Sequence, residues 1–262
     1  MGGRSPTPPT TNRRGAMQII TTAITKGGTG KTTTAAAIAQ AAKADGKKVL
    51  CIDLDPQMNF SAIIGADPTR PGSYNLLHGT APAEVVQRTA QGLDAITASP
   101  DLATEKTAPS SAMRLQAAIK PLKKGYDLII IDTPPLTSEL TFNALQACTD
   151  LIIPLETDSN ALQGLYQITD IARHIQQTNK ALKIRGTVLT RYDPRSKINR
   201  VLRDAIEKAG KEIKAPLLTE IRAGIAIREA QAQRLSLYDY APKSKPALDY
   251  LKLYSIITGG QK

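Results

Sequence analysis

The stretch Lys26-Gly27-Gly28-Thr29-Gly30-Lys31-Thr32-Thr33 decides the fold. A short run rich in β-branched residues, 17–25, precedes it, and an alanine-rich helical stretch, 32–45, follows. Glycines let backbone N–H groups curl around phosphate oxygens where side chains would block the approach. A helix that begins at the end of such a loop aims its positive N-terminal end at the same anion. In that arrangement Lys31 reaches the β- and γ-phosphates of a nucleotide, and the Thr32 hydroxyl ligates Mg²⁺. Gly27, Gly28, Thr29, Gly30 and Thr33 complete the cradle. The bland alternative is a glycine-rich turn that binds nothing, and a Gly-Lys-Thr at a helix start argues against it.

Working outward, apolar runs alternate with helical stretches. Strands are expected at 17–25, 48–53, 93–98, 126–132, 150–156 and 184–190, with helices at 32–45, 160–177 and 197–209. Near-continuous apolar strands imply burial on both sheet faces. Intervening helices of ten or more residues imply right-handed βαβ crossovers. The expected class is therefore α/β: a single-domain, doubly wound, mostly parallel sheet with helices on both faces, over 17–262. Ligands of such sheets sit beyond the C-terminal strand ends, where the phosphate loop falls. Residues 1–16, with three prolines and no apolar run, read as a disordered tail.

Two strand ends carry acids. The run 47–57 reads Lys-Lys-Val-Leu-Cys-Ile-Asp-Leu-Asp-Pro-Gln, and the run 126–135 reads Tyr-Asp-Leu-Ile-Ile-Ile-Asp-Thr-Pro-Pro. Carboxylates in such places hold Mg²⁺, directly or through water, or orient an attacking water. Asp55 and Asp132 are the candidates, while Asp53 has no assigned role.

Composition bounds the rest. The 262 residues carry 34 Lys and Arg against 23 Asp and Glu, a formal charge of +11. That excess favours polyanionic partners, nucleic acid or an acidic membrane, over neutral ones. No apolar run approaches the roughly 18 residues of a membrane-spanning helix. Two cysteines, Cys51 and Cys148, cannot build a disulfide framework, so a reduced, cytoplasmic protein is expected. His78 and His174 are isolated, which argues against zinc.

The general phosphate-loop spacing puts its first glycine at position 25, where this chain has threonine. The extra Lys26 instead makes a deviant Walker A pattern that resembles the ParA/MinD/iron-protein group of ATPases. Asp-Leu-Asp-Pro-Gln at 53–57 and Asp-Thr-Pro-Pro at 132–135 resemble ParA and Soj-type partition ATPases, and the likeness runs from about residue 17 to 254. The resemblance implies ATP and Mg²⁺ as ligands and slow ATP hydrolysis as the activity. It implies that Lys26 crosses a dimer interface to the other subunit's nucleotide. It makes Lys26, Lys31 and Asp55 catalytic, with Asp55 positioning water, and gives Mg²⁺ to Thr32, Asp132 and Asp55. It places Arg191 in an adenine-contacting loop. Met58 departs from the family pattern, which has glycine there. The implied partners are a second copy of the chain, non-specific duplex DNA and a ParB-like centromere-binding protein; no membrane is involved, and the protein is cytoplasmic on the nucleoid.

A cationic window supports the DNA expectation: residues 180–214 hold eleven Lys and Arg against four acids. On the expected helix 197–209, Ile198, Val201, Leu202, Ala205 and Ala209 form an inward face. Lys197, Arg200, Arg203, Lys208 and Lys211 are DNA candidates, extended by Arg222 and Arg228. Cations without interleaved aromatics suit phosphate contact, not base stacking. Two rivals stay open: a MinD-like membrane-cycling regulator of division, and an ATP-dependent ligase acting on a small carboxylate. Absence of cluster-ligating cysteines sets the iron-protein branch aside.

Overall fold

A computed structural model describes residues 17–105, 113–135 and 138–259. The proposed tail at 1–16 lies outside them. The N-terminal half runs β1 (Gln18–Thr22), α1 (Lys31–Ala44), β2 (Val49–Asp53), α2 (Asn59–Ile63), α3 (Ser73–Leu77), α4 (Pro82–Val85), β3 (Gln87–Arg88) and β4 (Asp94–Ile96). Next come α5 (Arg114–Ile119), β5 (Leu128–Asp132), α6 (Glu139–Ala147), β6 (Asp150–Glu156) and α7 (Ala161–Ile175). The chain continues with β7 (Lys183–Tyr192), α8 (Lys197–Glu212), β8 (Leu217–Arg222), α9 (Ala226–Ala232), α10 (Leu237–Tyr240) and α11 (Lys245–Thr258).

The strands form one sheet in the order β3-β4-β2-β5-β1-β6-β7-β8. Every neighbouring pair is parallel except β3 with β4. The α/β expectation holds, with an antiparallel edge that the apolar pattern did not announce. Alternate residues of each central strand serve opposite faces. Ile19, Ile52, Ile129 and Leu151 pack with α5, α6 and α7, while Ile20, Cys51, Ile130 and Ile152 pack with α1 and α11. That two-sided burial explains the unbroken apolar runs.

Alanine and threonine make up ten of the fourteen residues of helix α1, and ten of the fourteen are buried. Alanine has the highest helix propensity, and its small side chain lets a helix lie close to a sheet. Tyrosines close the other side of α1. The Tyr250 hydroxyl lies 3.2 Å from Thr34 Oγ1, and Tyr238 donates to the Ala37 carbonyl at 3.0 Å. Tyr250 and Tyr254 are core residues.

The inward face expected for α8 needs correction. Ala209 is buried and Leu202 and Ala205 are half-buried as expected, but Ile198 and Val201 are 61% and 56% exposed, and Ile206 and Gly210 supply the other buried contacts. Only the second half of the helix reaches the sheet; its first turns project beyond it. A periodic pattern gives a helix its apolar stripe but not the length over which the stripe is covered.

Gly186 is required by a close approach. The register of β6 and β7 shifts there, its φ is +148°, and an added Cβ would sit 2.2 Å from the Pro216 carbonyl oxygen. Gly186→Ala is expected to lower stability by about 2–4 kcal/mol, through backbone strain and overlap with the next strand. A urea midpoint unchanged from the parent would contradict that account.

Candidate active site

The phosphate loop connects β1 to α1 at the C-terminal end of the sheet. Gly28 and Gly30 hold φ of +78° and +83°, a conformation costly to side chains. Gly30 also faces Thr190, whose Cγ2 would lie 3.2 Å from an added Cβ. Thr190 Oγ1 donates to the Thr29 carbonyl at 2.8 Å, so β7 braces the loop from below. Thr29 itself is buried beneath the loop. Gly27, Gly28, Gly30, Lys31, Thr32 and Thr33 open onto a cavity of about 440 Å³.

Lys31 is buried, and its Nζ donates to the Lys26 carbonyl at 3.2 Å. Burial lowers its pKa, opposed by the charges of Asp132 and Asp55. Lys26 turns away to Asp158 of its own chain, with Nζ 2.5 Å from Oδ2. Burial works against the Asp158 charge, yet that lysine and the Asn160 and Ala161 N–H groups hold its carboxyl below the usual range.

Asp132 ends β5 fully buried. Its Oδ2 accepts from Thr32 Oγ1 at 2.7 Å and its Oδ1 from Thr22 Oγ1 at 3.2 Å. Burial, then the Asp53 charge, pushes its pKa up to about 8, while Thr32 and Lys31 oppose the rise. A hydroxyl and a buried carboxylate that lacks full charge compensation fit Mg²⁺, which is typically held by one or two protein oxygens plus substrate phosphates. Thr32 and Asp132 would hold that ion. Among the described residues no group of three or more acids, histidines or cysteines could hold a metal. Phosphate oxygens are therefore part of the fit.

Asp55 lines the cavity, and its Oδ1 accepts the Gln57 N–H at 2.9 Å. Asp53 lies behind it. Its Oδ1 takes the Asp55 N–H at 3.0 Å, and its Oδ2 takes both the N–H and hydroxyl of Ser61 at 2.8 Å. Burial pushes Asp53 up to about 6 against those donors. Its place is thus the anchor of the Asp55 turn. Met58 has φ 59° and ψ 21°, the left-handed conformation a glycine adopts freely, so the loop keeps a glycine-like backbone without one.

Arg191 also lines the cavity, with φ +50° and its Nη1 2.6 Å from Glu156 Oε1. Sequence reasoning missed Gln57, Asn59, Pro135, Gln231 and Arg234 in the lining. Gln57 and Pro135 stood inside the quoted motifs. Gln231 and Arg234 had no local signal, because the sheet topology alone brings α9 beside α1, where Gln231 Nε2 donates to Thr33 Oγ1 at 3.3 Å.

The DNA candidates divide by charge pairing. Arg203 is enclosed by Glu220 at 2.9 Å, Asp204 at 3.2 Å and Glu207. Lys211 pairs with Glu207 at 2.9 Å, and Arg222 makes a two-point pair with Asp249 at 2.7 and 2.9 Å. Lys197, Arg200, Lys208 and Arg228 are exposed with no acidic partner among the described residues. Arg200 folds back to the Pro194 carbonyl at 2.9 Å.

The acids beneath the loop give a pH dependence. Folding raises the pKa of Asp132 and Asp53 above the unfolded value near 4, so the folded chain binds protons more tightly. Their contribution is fully present below about pH 4 and declines as pH rises, the loss being complete above the folded value near 8. Ligand-free protein is expected to have a lower urea midpoint at pH 8 than at pH 5.5, with a smaller difference in Asp132→Asn. An equal or larger difference in that variant would remove Asp132 from the effect.

Comparison with known proteins gives this geometry its relatives. Residues 17–184 match the AAA domain family. The sporulation initiation inhibitor protein Soj of Bacillus subtilis is 32% identical over 245 residues, 90% of this chain and 96% of that protein. The chromosome partitioning protein ParA of Caulobacter vibrioides is 35% identical over 211 residues, 76% of each. Cobyrinic acid a,c-diamide synthase from Mycobacterium smegmatis, solved with a bound ATP analogue and magnesium, superposes with a TM-score of 0.78 at 30% identity, covering 94% of this chain and 98% of that one. With residues 17–184 matched by the family model and relatives of 32% and 35% identity covering 90% and 76% of its length, the chain belongs to the AAA-domain family, among its Soj- and ParA-type ATPases.

Proposed function

We propose that this ATPase is Mg²⁺-dependent, forms an ATP-bound sandwich dimer, binds duplex DNA without sequence preference and moves a plasmid or chromosome with a ParB-like partner. The observation that carries the reading is one cavity wall bearing the phosphate loop, with Lys31 buried and Thr32 on Asp132, and Asp55 lining the same space. Glycine N–H groups and Lys31 bind the phosphates. Bound Mg²⁺ would supply Lewis-acid charge neutralisation at the phosphate oxygens. Asp55, held by the Asp53 anchor, orients water toward the terminal phosphate.

In the single chain Lys26 is occupied by Asp158. Dimer formation exchanges that partner for the neighbour's nucleotide, and pairing two cationic faces raises DNA affinity by multivalency. Exposed Lys197, Arg200, Lys208 and Arg228 are the cations available for phosphate contact. The membrane rival has less support. Among the described residues no helix is long and apolar enough to cross a bilayer. Helix α11 buries Tyr250, Leu253, Tyr254 and Ile257 in the core and exposes only Leu248 and Ile256 among its large apolar side chains, so its main apolar face is already covered. The ligase rival keeps the support of its solved relative, and ATPase stimulated by a carboxylate metabolite but indifferent to DNA would select it.

Lys31→Ala is expected to abolish ATP binding, and Asp55→Ala to keep binding while losing turnover and accumulating on DNA as the ATP form. Normal turnover in Asp55→Ala would take that residue out of the mechanism. Lys26→Ala should bind ATP yet stay monomeric in size-exclusion chromatography with a non-hydrolysable analogue. On the DNA face, Lys208→Ala is expected to weaken duplex binding and flatten its log–log salt slope by about 0.9, one phosphate contact. Arg203→Ala should mainly lower the melting temperature, because its charge is already balanced by three acids. The reverse pattern would move the interface.

A further inference from the structure

Two arginines outside the phosphate loop, Arg191 and Arg234, line the nucleotide cavity, and both have a left-handed backbone, with φ of +50° and +55°. Of the four non-glycine residues with positive φ among the described residues, these two border the site, and Met58 sits between its lining residues Gln57 and Asn59. The left-handed backbone of Arg234 follows from its place just past the end of α9, where the Leu235 N–H returns to the Ala230 carbonyl at 2.9 Å, and that turn sets the arginine at the cavity edge. The Arg191 guanidinium is already paired with Glu156. Arg234 has no acidic partner among the described residues, and Asp55 is the one acid in the lining. An unpaired, planar guanidinium at the edge of such a cavity suits two-point recognition of phosphate oxygens.

The main chain that carries it is held by a side chain from another element. Gln91, in the turn between β3 and β4, donates through Nε2 to the Ile63 carbonyl at 2.6 Å and to the Arg234 carbonyl at 3.1 Å. Ile63 and Arg234 both line the cavity and come from different elements, the end of α2 and the segment after α9. One amide therefore straps these two segments together. Gln40 of α1 sets its orientation: Gln40 Nε2 donates to Gln91 Oε1 at 2.9 Å, and Gln40 Oε1 accepts the Leu237 N–H at 3.2 Å.

We propose that Arg234 is a further nucleotide-binding residue that contacts the phosphate chain, and that Gln91 is the positioning residue that holds it at the cavity edge. This inference rests on the ATP-site reading above. Binding of a non-hydrolysable ATP analogue with Mg²⁺ to the full chain tests it, alongside steady-state ATPase kinetics. Arg234→Ala is expected to weaken binding about tenfold, the scale of one charge-assisted contact, and Arg234→Lys to recover part of it. Arg234→Gly relieves the left-handed strain, so it should bind as weakly as the alanine variant while its melting temperature stays level or rises. Gln91→Ala should raise KM a few-fold with kcat within about twofold. Added to Arg234→Ala, it should cost little more, because it acts through that arginine.

Arg234→Ala and Arg234→Gly binding the analogue within about twofold of the parent would overturn the proposal. So would loss of DNA binding alone in those variants, which assigns the arginine to the duplex. A Gln91→Ala change that lowers melting temperature without touching KM would reduce that residue to a structural role and overturn its half. Lys31→Ala separates the two levels. If it binds as tightly as the parent, the ATP-site reading fails; if it loses binding while Arg234→Ala does not, only the arginine is wrong.

Discussion

Uncompensated carboxylate charge under the phosphate loop is the constraint on which this architecture depends. Asp53 and Asp132 end adjacent central strands and are almost wholly buried, and Asp55 follows two residues later. Lys31 is the one cation among them, itself carried into the interior at a cost in its own charge. A buried charge without enough partners is destabilising unless a ligand completes it. A cation and an anion bound there would offset that cost, which fits Mg²⁺ and polyphosphate. The free energy of a nucleotide-bound state would include relief of this cluster.

The sheet sets the cluster and shields it. Parallel pairing of β5 between β1 and β2 puts Thr22, Asp53 and Asp132 at one level, since the register matches Thr22 and Asp53 each to Asp132. Strand β7 adds Thr190 under the loop, and β6 adds Glu156 for Arg191. Residues from five strands thus support the loop and the residues that line the cavity. The rim is held by hydrogen bonds between side chains and main chain, not by a long loop that must order itself.

Surface charge follows a different logic. Much of the cationic window around α8 is consumed locally, with Arg203 serving three acids. Such pairs orient β8 and α8 against each other more than they serve a polyanion. Net charge counts all these cations equally, whereas only those without a neighbouring acid retain a field that reaches outward.

The sequence by itself determined the parallel α/β class, the phosphate loop, Lys31, Thr32 and the acids at strand ends. Each of those rests on local chemistry: glycine conformations, helix starts and apolar runs that end in a charge. Tertiary structure alone decided the role of Asp53, the partner of Lys26, the exposure of Ile198 and Val201, and the place of Gln231 and Arg234. Those depend on how the folded chain brings groups together in space, as when Lys26 meets Asp158 and Gln91 meets Arg234, 132 and 143 residues away along the sequence. Periodicity and motif spacing report on a chain's neighbours along its length; pairing of charges and closing of a cavity are properties of neighbours in space.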